Sequence, residues 1–257
     1  MELEQTILVS QARSGSTRLP KKVLLKIQGQ ELLNIQLTRL QNCKEIDKII
    51  IATTTDPEDD TIAGLCKSWN VAVSRGQIND VLDRYYQSVL PFKPKWVVRV
   101  TSDCPLIDPE LVDAVVKFAK VNEADYASNI LLERFPDGQD VEVFKFEALE
   151  KAWKEAELLS EREHVTPYLR KNCTFNGGKL FSSANFSCLD DFSDIRMTVD
   201  EPRDFDLISK LIEDLGTKES WLTYTRHIIS NQYNKINSNI IRNEGMLKSL
   251  KDDNLNG

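Results

Sequence analysis

The chain has no apolar run of 18 residues, so no membrane-spanning helix is expected. Its first residues, Met1-Glu-Leu-Glu-Gln5, are acidic and carry no apolar stretch of signal-peptide length. The five cysteines, Cys43, Cys66, Cys104, Cys173 and Cys188, are odd in number and widely spaced. They form no Cys-x-x-Cys pair of the zinc-binding kind and no framework of the secreted kind. Cys66 falls in an apolar helical pattern and reads as a small buried hydrophobe. These absences fit a reducing cytoplasm. Histidine is scarce, with two in 257 residues, and no Ser/His/Asp order marks a covalent nucleophile. With a net charge of -7, the broad basic face of a dedicated nucleic-acid binder is missing. Internal repeats, low-complexity blocks and the Gly-x-x-x-x-Gly-Lys-[Ser/Thr] phosphate loop are absent as well. What remains, 41% hydrophobic and 28% charged, is an ordinary globular composition with a sizeable core.

Against this acidic background one stretch concentrates positive charge. Gln11-Ala-Arg13-Ser14-Gly15-Ser16-Thr17-Arg18-Leu19-Pro20-Lys21-Lys22 holds four cations and no acid. It runs between Ile7-Leu8-Val9, a first buried strand, and the apolar Val23-Leu24-Leu25. Gly15 permits positive φ and close backbone approach, and three hydroxyls can donate to oxygen. The loop suits a polyanion, foremost a nucleotide triphosphate; a solvated loop charged for solubility is the other reading.

The apolar pattern then predicts a helix near 31–43, a buried strand at 48–53, and a second helix through Ile62, Leu65, Cys66 and Trp69. A short strand at 71–73 leads through a polar loop, Ser74-Arg75-Gly76-Gln77, to a helix from Val81. Trp96 to Thr101 makes a fourth strand. Asp108-Pro109-Glu110 starts a helix, with Asp as cap and Pro in the first turn. Strands are expected at 125–129 and 140–144, around a Phe135-Pro-Asp-Gly138 turn, and helices at 146–158 and 161–172. Met197-Thr198-Val199-Asp200 reads as a last short strand, 205–215 as a helix, and 244–257 as a frayed polar tail after further helical pattern. This alternation predicts an α/β fold with a mostly parallel sheet and right-handed crossovers. Ligands of such sheets bind beyond the strand C-termini. The loop at 11–22, Asp103 and Asp200 each follow a predicted strand.

Asp103 and Asp200 can jointly hold Mg²⁺, which takes oxygen ligands; each also reads as a helix-leading cap or turn residue. Arg75, Asp80, Asp83 and Arg84 cluster at a helix start. Arg75 suits a base edge, while a capping Asp80 with Asp83 and Arg84 on a solvated face is the alternative. Asp137, Asp140 and Glu142, with Glu161, Arg162, Glu163 and His164, are the other polar concentrations; a lone His164 on a helix also fits a structural role. The absence of a nucleophile fits phosphoryl or nucleotidyl transfer, where positioning and charge neutralisation supply most of the catalysis.

The 11–22 stretch resembles the nucleotide loop of the cytidylyltransferases that make CMP-activated sugars, related to CMP-Kdo and CMP-sialic acid synthetases. The branch named after spore-coat polysaccharide synthesis is the most similar. Ala52-Thr-Thr-Thr-Asp-Pro-Glu-Asp-Asp60, Asp80-Val-Leu-Asp-Arg-Tyr-Tyr86, Asp103-Cys-Pro-Leu-Ile-Asp-Pro109, Phe135-Pro-Asp-Gly-Gln-Asp-Val-Glu142 and Ser160-Glu-Arg-Glu-His-Val-Thr-Pro-Tyr168 are similar to it too. The resemblance covers roughly residues 5–215. It implies a Rossmann-like nucleotidyltransferase sandwich of the nucleotide-diphospho-sugar transferase type. The domain would span 1–219, with an acceptor and dimerisation insertion around 128–175, and a helical extension would follow at 220–257. It implies attack on the α-phosphate of CTP by an acidic-sugar acceptor, with Mg²⁺ as cofactor, pyrophosphate as product and a homodimer as the working form. Carried over by position, Arg13, Lys22 and Asp103 are catalytic, and Asp103 and Asp200 bind metal. Gln11, Ala12, Arg13, Ser14, Gly15, Ser16, Lys22, Arg75, Asp80 and Ser102 bind the nucleotide; Asp140, Glu142 and His164 face the acceptor. Two positions depart from the family: Lys21 stands where Gly is usual, and Ser102 replaces the Gly before Asp103. A nucleotide-sugar-dependent glycosyltransferase would want an Asp-x-Asp motif, where Thr101-Ser102-Asp103 supplies one Asp. A non-catalytic nucleotide-binding protein of the same fold is the third reading.

Overall fold

The structure, a computed structural model, describes residues 4–256. The first half alternates as its apolar pattern requires: β1 (Thr6–Gln11), a small hairpin of β2 (Lys26–Ile27) and β3 (Gln30–Glu31), then α1 (Leu32–Leu40). It continues with β4 (Lys48–Thr54), α2 (Asp60–Ser68), β5 (Ala72–Gly76), α3 (Val81–Val89), β6 (Trp96–Thr101) and α4 (Pro109–Val121). The second half is β7 (Tyr126–Ser128), β8 (Glu142–Lys145), α5 (Phe146–Glu155), α6 (Leu159–His164), α7 (Pro167–Asn172), β9 (Ser183–Asn185), α8 (Pro202–Leu215), α9 (Trp221–Ser230) and α10 (Glu244–Asn256).

The main sheet runs β5-β4-β1-β6-β8-β7-β9. Its first four strands are parallel, and β8 lies antiparallel to both β6 and β7. Continuous apolar runs suit strands covered on both faces. Ile7 and Val9 of β1 pack on one side with residues of α3 and α5, and Leu8 turns to the other side with residues of α4. From β1 the chain builds outward through β4 to β5, then crosses back to lay β6 on the other flank of β1. That reversal opens a crevice at the C-terminal end of β1, where the cationic loop begins. Asp108 caps α4 as its sequence predicts, accepting from Glu110 N–H at 2.8 Å.

Four expectations are corrected. The strand at 71–73 runs on to Gly76, because Ser74, Arg75 and Gly76 continue the parallel register with β4 at the sheet edge. Residues 197–200 form no strand. They are extended but fastened by loops: Met197 N–H donates to Asp137 O at 2.6 Å and Val199 N–H to Asp103 O at 2.8 Å. The helix expected at 161–172 is divided into α6 and α7. Val165 takes a φ of 72° between them, and Pro167 has no N–H with which to continue a helix. The tail expected to fray is α10, which packs against α6.

Candidate functional site

A cavity of about 940 Å³ opens where β1 and β6 end, and Gln11, Arg13, Lys22, Ser102, Asp103 and Asp200 line it. Ser14 anchors the loop from beneath. Its N–H donates to Asp59 Oδ1 at 2.6 Å and its hydroxyl to Glu58 O at 3.2 Å, so the side chain is buried and faces away from the cavity. The loop closes where Lys21 N–H donates to Ser14 O at 3.0 Å. Positive φ falls at Lys21 (55°) and not at Gly15, whose position has open space around it. Lys21 therefore takes the backbone conformation that glycine favours, and its exposed side chain does not line the cavity.

That turn delivers Lys22 to the centre of the site. Its ammonium lies 2.8 Å from Asp103 Oδ2 and 2.7 Å from Asp200 Oδ1, joining carboxylates from two distant parts of the chain. Burial works to lower the Lys22 pKa, but the two carboxylates outweigh it and hold it well above the usual lysine value. Burial likewise works to raise Asp103, yet Lys22 draws it down to about 2. Asp200 is further held by Arg18 at 3.3 Å and Arg196 at 3.1 Å. The segment carrying Asp200 is pressed by the 135–138 turn, where a Cβ on Gly138 would lie 2.6 Å from the Met197 carbonyl carbon. Glycine is required at this approach.

The pair fits a hard dication. Two carboxylates already gather around one positive centre, and oxygen donors of this kind suit Mg²⁺. Among the described residues no group of three or more His, Cys, Asp or Glu converges, so further ligands would come from phosphates and water.

The remaining expected residues divide. His164 lines the cavity; burial lowers its pKa, Arg99 and Arg13 act in the same direction, and Glu163 opposes them. Ala12, Gly15 and Ser16 also line it. Arg75 and Asp80 do not. Arg75 lies on edge strand β5 and binds Asp60 at 2.7 Å and Thr54 O at 2.7 Å. Asp80 caps α3, accepting from Asp83 N–H at 2.8 Å, and pairs with Arg162. Glu142 is buried on β8 between Arg99 and Tyr126, away from the cavity lining. Asp140 is likewise outside it, paired with Arg242 at 2.9 Å; burial pushes its carboxyl up to about 7 against the pull of that arginine.

Arg84 is a cavity residue that sequence pattern alone does not single out. Set on a solvated face in one of the two readings of its cluster and given no site role in the other, it is 2% exposed and lines the cavity. One nitrogen donates to Gln77 O and Ile78 O at 2.6 and 3.0 Å, and its buried Nε has no partner. Two signals for this exist in the sequence. Arg84 sits between Val81 and Ser88 on the inward stripe of α3, and Gly76 leaves room for its stem: a Cβ there would be 2.8 Å from Arg84 Cγ. The second omission is α10, which supplies Glu244, Leu247, Lys248 and Lys251 to the outer wall.

A family model described as cytidylyltransferase matches residues 7–244. Among curated proteins, an uncharacterized protein (MJ1063) of Methanocaldococcus jannaschii is 44% identical over 79% of this chain and 81% of its own length. The spore coat polysaccharide biosynthesis protein SpsF of Bacillus subtilis is 29% identical over 84% of this chain and 90% of its own. Among solved structures, a cytidylyltransferase from Leptospira borgpetersenii superposes with a TM-score of 0.84 at 31% identity, covering 93% of this chain and 99% of that one. A CMP-2-keto-3-deoxy-manno-octonic acid synthetase complexed with CTP shares the fold, with a TM-score of 0.62 at 15% identity over 82% and 99%.

Proposed function

The chain belongs to the cytidylyltransferase family, and we propose that it transfers CMP from CTP to an acidic sugar for surface polysaccharide synthesis. The observation that carries this reading is the charge alternation around Lys22, with Asp103 and Asp200 on its flanks and Arg13 in the same cavity. In the reaction an acceptor hydroxyl oxygen bonds to the α-phosphorus of CTP. The bond from that phosphorus to the bridging oxygen breaks, pyrophosphate leaves with the electron pair, and the hydroxyl proton passes to solvent. Arg13 and Lys22 neutralise the charge that builds on the departing phosphates. Asp103 and Asp200 would hold Mg²⁺, which when bound offsets phosphate charge. His164, at the rim beside α10, faces the acceptor. The SpsF relative supports the polysaccharide setting by its name.

Pyrophosphate release from CTP, measured against Kdo, nonulosonic acids and a phosphorylated non-sugar, tests the proposal. Release that depends on one acidic sugar supports it. CTP binding with no release from any acceptor points to a non-catalytic protein, and release with the phosphorylated non-sugar alone refutes the sugar assignment. Exposed Leu158, Leu159, Phe175 and Leu180 on and beside the 128–175 insertion support homodimer formation. A monomer by gel filtration at micromolar concentration refutes it.

A further inference from the structure

The family match ends at Glu244, the first residue of α10, yet the cavity does not end there. Its inner wall is the loop and the strand ends; its outer wall is α10. Glu244, Lys248 and Lys251 recur at i, i+4 and i+7, which puts them on one face of the helix. All three line the cavity. Glu244 is engaged with Arg18 at 3.1 Å. Lys248 and Lys251 are exposed, and among the described residues neither has a carboxylate within 4 Å.

The neighbouring face docks the helix. Ser249 Oγ lies 3.0 Å from His164 Nε2 and 3.0 Å from Glu163 Oε2, and Asp253 Oδ1 accepts from Ser160 N–H at 3.2 Å. Arg242, just before the helix, binds Asp140 at 2.9 Å. Leu247 and Leu250 keep 48% and 38% of their surface exposed, so polar contacts carry much of the docking of α10. Arg13 of the loop, His164 and the Lys248 and Lys251 positions of α10 line one and the same cavity. Two lysines with no carboxylate within 4 Å among the described residues thus line the same cavity as Arg13 and Arg84, in a lining that also includes Glu163 and Asp252.

We propose that Lys248 and Lys251 bind the β- and γ-phosphates of the nucleotide and complete the triphosphate site from outside. The assignment rests on the CTP-dependent reading of this cavity. A triphosphate held between the two walls would be enclosed by α10. A nucleotide without those two phosphates would not reach the lysines.

The test is calorimetric binding of CTP and of CMP, each with Mg²⁺, to the full chain and to the K248Q/K251Q variant. Both lysines are exposed, so an unchanged Tm is expected and shows that the variant is folded. Charge-assisted contacts discounted for exposure predict CTP binding weakened about five- to twentyfold, with CMP within about twofold. A K248R/K251R variant should retain the affinity for CTP. Unchanged CTP binding by K248Q/K251Q overturns the proposal, as does equal weakening of CTP and CMP. A change confined to the KM of the acceptor overturns it too, since the lysines then serve the acceptor. A wild-type chain that binds neither nucleotide refutes the nucleotide reading itself. Wild-type binding with an indifferent variant removes only the role of α10.

Discussion

Replacing Lys22 with methionine keeps the stem and removes the ammonium from between Asp103 and Asp200. The two carboxylates do not suffer equally. Asp200 keeps Arg18 at 3.3 Å and Arg196 at 3.1 Å, whereas among the described residues Asp103 has no other cation within 4 Å. Taking one partner from a buried ionic pair costs about 3–5 kcal/mol. Here the side chains of Lys22, Asp103 and Asp200 are 15%, 23% and 22% exposed, so water relieves part of that loss. The lower end, about 3 kcal/mol, is the figure to expect. At about 2–4 °C per kcal/mol for a chain of this size, Tm falls by about 6–12 °C.

Millimolar Mg²⁺ should then recover much of the loss, because a dication can take the place of the ammonium between the carboxylates. Turnover should fall by about 10²–10³, the usual effect of removing one preorganised charge partner from the transition state. Thermal denaturation with and without Mg²⁺, beside pyrophosphate release from CTP, measures both effects. A variant whose Tm stays within 2 °C of the wild type and ignores Mg²⁺ refutes the bridging role of Lys22.

Arg13→Ala should leave stability within about 0.5 kcal/mol, since Arg13 is exposed and has no hydrogen-bond or ion-pair partner among the described residues; turnover should drop about 100-fold or more. Turnover that is unchanged with a verified acceptor removes Arg13 from the site. Lys21→Gly should raise stability by up to about 0.5 kcal/mol, because relief of a left-handed residue slightly exceeds the entropy glycine adds to the unfolded chain. Its turnover should stay within about twofold, and a larger loss would place the Lys21 side chain in the site. The pull of Lys22 on Asp103 gives acid sensitivity: with a folded pKa of about 2 against an ordinary 3.8, the contribution is complete above about pH 4 and is lost as pH falls toward 2. It amounts to about 2 kcal/mol, so Asp103→Asn should flatten the decline in urea midpoint between pH 4 and 2; an unaltered slope counts against it.

Periodicity made the parallel half of the sheet legible, because β1, β4 and β6 are buried on both faces and read as unbroken apolar runs. The same signal failed at Ser74-Arg75-Gly76, where an edge strand needs backbone pairing but no apolar side chains. It failed at 197–200 for the opposite reason: Met197, Thr198 and Val199 have strand-like chemistry, but the Met197 and Val199 amides donate to the Asp137 and Asp103 carbonyls of loops. In the site, charge concentration pointed to the loop but could not rank its cations. Charge alone does not separate Arg75 from Arg84, nine residues apart. The edge position turns Arg75 toward Asp60, while the inward stripe of α3 carries Arg84 to the cavity. Lys248 and Lys251 lie in a polar tail whose significance depends on where its helix docks, and local sequence carries no record of that.

The division of the cations bears on how ligands enter. Lys22 and Arg18 are already neutralised by Asp103, Asp200, Glu201 and Glu244, while Arg13 and Arg84 have no carboxylate within 4 Å among the described residues. A triphosphate arriving alone therefore meets fewer available charges than the sequence suggests. A dication that takes Asp103 and Asp200 would release the Lys22 ammonium toward the phosphates, so Mg²⁺ and CTP should tighten each other by the same factor, as linkage requires. A coupling of about 1–3 kcal/mol is the usual range, or about 5–150-fold. Titrating CTP at several Mg²⁺ concentrations above those that saturate CTP itself measures it. Lys22→Met should retain Mg²⁺ binding but lose most of the coupling, because no ammonium is left to release. Equal coupling in the wild type and the variant would mean that Mg²⁺ acts through the nucleotide alone and that the ammonium does not exchange partners.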